Sequence, residues 1–179
     1  MDWKEMMEEE KKKLKAGELR KKTLERKRRL ELKRKYLMKK RAFEKFTPMI
    51  KRVLKRFCKT YRYGREQRDW GDRKWHIVES KEHSDFYDWD RLYFKVYNYG
   101  YDKISNYYRV RRDQDIKIEV NIDENNNCYF EIFGHGKRFG EERDTIKESK
   151  KYYIYLDELT VENLAETLIK IYKEISSSR

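Results

Sequence analysis

Residues 11–41, KKKLKAGELRKKTLERKRRLELKRKYLMKKR, cannot supply a hydrophobic core. Seventeen of these positions are Lys or Arg and three are Glu (Glu18, Glu25, Glu31), so the segment carries +14. Lys, Arg, Glu, Leu and Met are strong helix formers, Pro is absent, and Gly17 is the one weak point, costing about 1 kcal/mol against Ala. The apolar residues Leu14, Leu19, Leu24, Leu30, Leu32, Tyr36, Leu37 and Phe43 are sparse. Leu30–Leu37 and Tyr36–Phe43 recur at seven, but no run of three to four clean heptads marks a coiled coil. The stretch reads as a helix-prone arm, frayed by self-repulsion when alone and ordered along a polyanion.

The charge is segregated within the chain. Residues 1–65 hold 26 basic and 9 acidic residues, and residues 66–179 hold 20 and 24, so +17 and −4 make up the total of +13. A one-signed tail on a nearly neutral body is the footprint of a polyanion binder, whereas a solubilising helix mixes signs. The expected phosphate contacts on the arm are Lys21, Lys22, Arg26, Lys27, Arg28, Arg29, Lys33, Arg34, Lys35, Lys39, Lys40 and Arg41. Acidic residues 2–10 complement the macrodipole of a helix start, or fold back on the arm when no ligand is bound.

The full chain of 179 residues suits one domain plus an appendage. Charged residues make up 44% and apolar ones 37%, and the apolar deficit lies in the N-terminal third. No apolar run is long enough to span a membrane, and no signal-peptide pattern follows Met1, so an intracellular, cytoplasmic protein is expected. Cys58 and Cys128 lie far apart and read as reduced thiols. Without a CxxC pair, and with three histidines, no zinc site and no cofactor is expected.

Along the chain, Thr47-Pro48 reads as an N-cap followed by proline at the first helical position. This divides the chain into a basic helical arm, 1–46, dispensable for folding, and an α+β domain, 47–179. The first helix of the domain is expected over 48–61. Ile50, Val53, Leu54, Phe57 and Tyr61 form its narrow apolar face, and Lys51, Arg52, Lys55 and Arg56 a second basic ridge. Residues 62–73 read as a loop. Antiparallel strands follow within 74–156: Lys74–Glu79, Leu92–Tyr99, Tyr107–Arg112, Ile116–Asp123, Cys128–Phe133 and Lys151–Leu156. Glu124–Asn127 mark a turn, and Gly134, Gly136 and Gly140 break the chain. The C-terminal helix, 160–176, has Thr160 as N-cap and Leu159 and Leu164 as a hydrophobic staple. The fold class is therefore α+β: a small antiparallel sheet packed by a C-terminal amphipathic helix, with a long basic N-terminal arm.

The strands alternate between two chemistries. Leu92, Phe94 and Val96, then Ile116, Ile118, Val120 and Ile122, then Cys128, Phe130 and Ile132, then Tyr152, Ile154 and Leu156 form an aliphatic face to match the helix stripe of Val161, Leu164, Leu168, Ile171, Tyr172 and Ile175. The other face reads Tyr93, Lys95, Tyr97 and Tyr99, then Tyr107, Arg109 and Arg111, then Lys117 and Glu119, then Tyr129, Glu131, Phe133, Tyr153 and Tyr155. Aromatic planes stack bases while cations hold phosphates, so Tyr93, Tyr97, Tyr107, Arg109 and Arg111 are candidate single-strand contacts. Tyr is equally a common residue of any half-exposed sheet, and the 50–61 helix would bury these rings if it packed on this face.

Catalytic patterns are weak. Ile77-Val78-Glu79-Ser80-Lys81 resembles the strand-end motif of PD-(D/E)xK nucleases, but Asp72 is too near to be the upstream carboxylate. Asp85, Asp88 and Asp90 lack the glycine and terminal Glu of an EF-hand loop. The 134–140 glycine run lacks the P-loop pattern and reads as a hairpin tip, and His76, His83 and His135 have no evident nucleophile beside them.

The expected function is non-catalytic nucleic-acid binding, RNA rather than duplex DNA, since no helix-turn-helix or zinc-finger pattern occurs. The alternative is an inhibitor or accessory subunit that docks on a nucleoprotein complex. In layout, a basic arm on a small antiparallel α+β body with an acidic side, the chain resembles some phage-encoded anti-CRISPR proteins. That resemblance is one of arrangement and involves no motif. It implies an assembled protein–RNA complex as partner.

Overall fold

The computed structural model describes residues 2–61, 75–84, 89–104, 107–139 and 144–176, with the backbone alone at 75–76, 84, 89, 98–104, 107–113, 137–139 and 144–147. The fold is α+β, as the alternating pattern predicts. Its largest departure from the sequence reading is the first helix. α1 runs unbroken over Trp3–Thr60, 58 residues, about 87 Å at 1.5 Å per residue. The arm and the expected 48–61 helix are one element.

Continuity through Pro48 follows from packing on both sides of it. Tyr36, Phe43, Ile50 and Phe57 recur every seven residues on one face, and Phe43, Ile50 and Leu54 are fully buried. Each such side chain contributes roughly 1.5–3 kcal/mol, which together outweighs the ~3 kcal/mol cost of an internal proline. The carbonyl that loses its partner belongs to Glu44, an exposed residue. The Thr47 hydroxyl does not cap a helix start; it donates back to the Phe43 carbonyl at 2.7 Å. At the other end, the Asp2 N–H donates to the Glu5 carboxylate at 3.4 Å. The acidic turn does not fold back. Glu9 and Glu10 pair with Lys13, at 3.2 and 3.8 Å, along the helix itself.

The sheet is antiparallel and five strands wide. β1 (Trp75–Ser84), β2 (Trp89–Ile104), β3 (Tyr107–Ile122) and β4 (Cys128–Phe139) neighbour one another in chain order. The outer edge of β4 is shared: β5 (Asp144–Glu148) pairs along 135–139 and β6 (Tyr152–Tyr155) along 129–132. Two expected strands, Tyr107–Arg112 and Ile116–Asp123, are one sixteen-residue strand. The β2–β3 register shifts between Asn98 and Tyr99, a bulge that absorbs the irregular pattern there. The β3–β4 turn is built on Asp123, whose carboxylate accepts the N–H groups of Asn125 and Asn127 at 2.9 and 2.8 Å, with Asn126 at φ 64°. Those bonds hold the Asp123 carboxyl below its ordinary range, the Asn127 N–H foremost.

One face of the sheet carries the core. Leu92, Phe94, Val96, Ile116, Ile118, Val120, Phe130, Ile132 and Ile154 are buried, and register sets Phe94 beside Ile118 and Phe130 beside Val120. α1 and α2 (Val161–Ser176) both lie on this face. Phe43 stacks on Phe94 at 4.6 Å, and Phe46 meets Phe130 edge-on. The α2 stripe of Leu164, Leu168, Ile171 and Ile175 is buried, and the Thr160 hydroxyl accepts the Asn163 N–H at 3.1 Å as the N-cap.

Gly134 and Gly136 do not break the chain. Both lie inside β4, where a Cβ would stand 2.7 Å from the Ile171 side chain and 2.6 Å from the Ile175 carbonyl. Their missing side chains admit α2 to the sheet.

Candidate nucleic-acid interface

The amino-terminal half of α1 leaves the body and is exposed on all sides. Arg26, Lys27, Arg28 and Arg29 are consecutive, and at 3.6 residues per turn they surround the axis. The net +14 of residues 11–41 amounts to one positive charge per about 3.3 Å of helix, against one phosphate charge per ~1.7 Å of duplex. Local pairs neutralise part of it: Glu25 with Arg29 at 2.9 Å and Glu31 with Lys35 at 3.2 Å. Among the described residues, Lys21, Lys22, Arg26, Lys27, Lys33, Arg34, Lys40 and Arg41 have no carboxylate partner.

Two expected phosphate ligands are engaged elsewhere. Lys39 pairs with Asp90 of β2, both side chains about 15% exposed. Lys51 pairs with Glu79 of β1, and it is the main reason that the Glu79 carboxyl lies below its usual range. Both lysines serve to dock α1. Arg52, Lys55 and Arg56 stay exposed on the outer side of the helix layer.

The aromatic face of the sheet is not covered by either helix, since both pack on the opposite side. Tyr93 and Tyr97 are half-buried there among strand neighbours, and Lys117 lies over the Tyr93 ring at 4.7 Å. For Tyr107, Arg109 and Arg111 the backbone lies in β3 and the side chains fall outside the described residues. The structure therefore separates two sets that the sequence listed together. Arg52, Lys55 and Arg56 are on one side of the molecule, and Tyr93 and Tyr97 on the other.

The described cations of the aromatic face are neutralised in place. Lys95 meets Asp115 at 2.9 Å, Lys117 meets Glu119 at 2.6 Å, and Lys151 meets Glu131 at 2.7 Å. His135 lies between Asp115 at 3.0 Å and Glu148 at 3.4 Å. The bond to Glu131 raises the Lys151 pKa above its ordinary value. A phosphate entering the middle of this face would compete with carboxylates already there.

At one end of the sheet the chemistry changes. Tyr129, Tyr153 and Tyr155 form a ring cluster with centroids 5.8 and 5.6 Å from Tyr129, and Tyr153 and Tyr155 are 55% and 37% exposed. Beside it, a groove of about 600 Å³ runs between α1 and the sheet end, lined by Met38, Asn126, Asn127, Tyr155, Asp157 and Glu158 among others. Sequence reasoning placed Tyr153 and Tyr155 on the right face but not among the site residues. Only the register of β6 on β4, and the approach of α1 at Met38, distinguish them from the other tyrosines.

The remaining motifs are structural. Glu79 and Lys81 lie within β1, ion-paired with each other at 3.2 Å and turned towards α1. Asp85 and Asp88 lie outside the described residues, and Asp90 holds Lys39. His83 stacks on Tyr36 at 3.9 Å. Among the described residues no group of three His, Cys, Asp or Glu side chains is placed to hold a metal ion, and no helix is long and apolar enough to cross a membrane. Cys58 and Cys128 are free thiols; burial pushes Cys58 up to about 11 and also raises Cys128. No protein-family model, curated protein or solved structure matches this chain.

Proposed function

We propose that the chain is a non-catalytic nucleic-acid-binding protein that lays α1 along phosphates, with RNA favoured over duplex DNA. The observation that carries this reading is the projecting helix: basic around its whole circumference, with eight candidate contacts free of carboxylate partners among the described residues. Such a surface releases counterions from a phosphate backbone, and that release drives sequence-independent binding. RNA is favoured because the body offers exposed tyrosines that unstacked bases can use.

Binding to labelled single-stranded RNA and to duplex DNA across a salt series tests this. With six to ten phosphate contacts, affinity should fall about 10³–10⁵-fold between 50 and 200 mM salt. Salt-independent binding, or none, would sink it.

A second reading, docking on an assembled protein–nucleic-acid complex, is favoured by the tip of the arm. Trp3, Met6, Met7 and Leu14 are exposed there beside Glu5, Glu8, Glu9 and Glu10. Apolar and acidic groups suit a protein surface better than a phosphate. Tighter binding to such a complex than to its free RNA would favour this reading.

A further inference from the structure

We propose that the groove where α1 leaves the body is the base-binding site of a single strand whose phosphates lie along the arm; this rests on the phosphate-binding reading of α1. Continuity comes first. Met38 lines the groove from α1, and Arg34 and Arg41 lie four residues before and three after it. A strand tracking those guanidiniums passes within about one helical turn, ~5.4 Å, of the groove mouth.

Size and lining fit a base. A volume of about 600 Å³ lies within the range of small-molecule sites. Tyr155 is among the lining residues, and its ring stands with those of Tyr129 and the exposed Tyr153 on the aromatic face beside the groove, where a neighbouring base can stack. The groove is also acidic. Asp157 and Glu158 line it, and Asp123 is nearby, accepting the Tyr155 hydroxyl at 3.4 Å. Carboxylates repel a phosphate but accept hydrogen bonds from an exocyclic amino group. The arm therefore holds the backbone and the groove takes a base edge that donates. Cytosine, which presents an amino group at N4, fits better than uracil, which presents a carbonyl oxygen there. The self-neutralised middle of the sheet has no such division of labour.

The test is fluorescence anisotropy on the full chain with three oligonucleotides of equal length and charge: oligo(rC), oligo(rU) and an abasic strand. The expected order is rC tightest and abasic weakest, with rC about 5- to 150-fold above abasic, the range of one stacked base. Tyr155→Ala should lower rC affinity towards the abasic level and leave abasic binding unchanged. Should that variant melt early, the exposed pair Asp157→Asn and Glu158→Gln supplies the second arm. It should erase the preference for rC over rU while abasic affinity holds or rises, because negative charge has been removed. Equal, steeply salt-dependent affinity for all three strands overturns the groove site and leaves the arm reading standing. Absence of salt-dependent binding to any of them overturns both.

Discussion

Removing residues 1–34 should leave folding intact, and removing residues 1–46 should not. The shorter truncation takes fourteen basic and eight acidic residues and lowers the net charge from +13 to +7. Residues 2–34 are exposed apart from Gly17 and Leu32, which are partly so, and their helical ion pairs are worth at most ~0.5 kcal/mol each. The longer truncation also removes Tyr36 from His83, Lys39 from Asp90, and Ala42 and Phe43 from the core. Phe43 is fully buried against Phe94, and loss of such a ring alone costs about 3–5 kcal/mol. That is a large share of the ~5–15 kcal/mol available to a domain. Urea unfolding followed by circular dichroism reads the difference. The 1–34 truncation should keep the wild-type midpoint, and the 1–46 truncation should lose at least the Phe43 contribution, which Phe43→Ala isolates in the full chain. The salt slope of RNA binding should flatten already in the shorter form. A 1–46 truncation as stable as the full chain would refute the shared core. A shorter truncation with an unchanged salt slope would refute phosphate binding by the arm.

The two glycine environments predict opposite signs. Gly17→Ala has nothing within 4 Å of the new Cβ and should strengthen α1 by about 1 kcal/mol, read as increased helicity. Gly136→Ala drives a Cβ to 2.6 Å from the Ile175 carbonyl and should destabilise by about 1–3 kcal/mol, read as an earlier melt. Leu168→Ala, at a fully buried position of α2, should cost about 2–5 kcal/mol, and affinity should fall only with the folded fraction. The Lys51–Glu79 pair predicts acid sensitivity: Glu79 titrates below its ordinary value when folded, so its contribution is complete above that value and disappears as pH falls through the folded one. Lys51→Met should make stability less dependent on pH below the ordinary carboxylate range; an unchanged acid limb would remove the pair from the account.

The sheet faces and the last helix were legible because their signals are local. Strict alternation over 116–122 and the 160–176 stripe leave one register each. The glycines of β4 were misread because a missing side chain looks the same at a turn and at a close approach. What separates the two is the position of Ile171 and Ile175 on α2, which only the tertiary structure supplies. Thr47-Pro48 misled for a related reason. It carries the local grammar of a helix start, but Tyr36, Phe43, Ile50 and Phe57 repeat across it at seven, and the longer period wins because it is buried. Of the candidate site, the cations of the arm were legible from charge alone. The engagement of Lys39 and Lys51 was not, because their partners Asp90 and Glu79 lie far along the chain.

An unbroken α1 changes what the arm can do. A basic tail joined by a flexible linker would sample many directions, and each binding event would include the cost of ordering it. Here the helix proposed to lie along phosphate is the helix that packs Phe43 and Ile50, so its direction at Arg34 and Arg41 is set by the core. On the proposed reading, a rigid axis entering beside the Met38 groove gives a strand one approach to the body rather than many. Helix fraying at the far tip does not alter this, because the register near Met38 is pinned by Tyr36 on His83 and Lys39 on Asp90. Affinity on the proposed reading then depends on two separable quantities: the number of phosphates along the exposed turns, and the integrity of the few contacts that aim the arm. Loss of Lys39 should therefore disturb binding through geometry, beyond the removal of one charge, whereas loss of Lys21 should not.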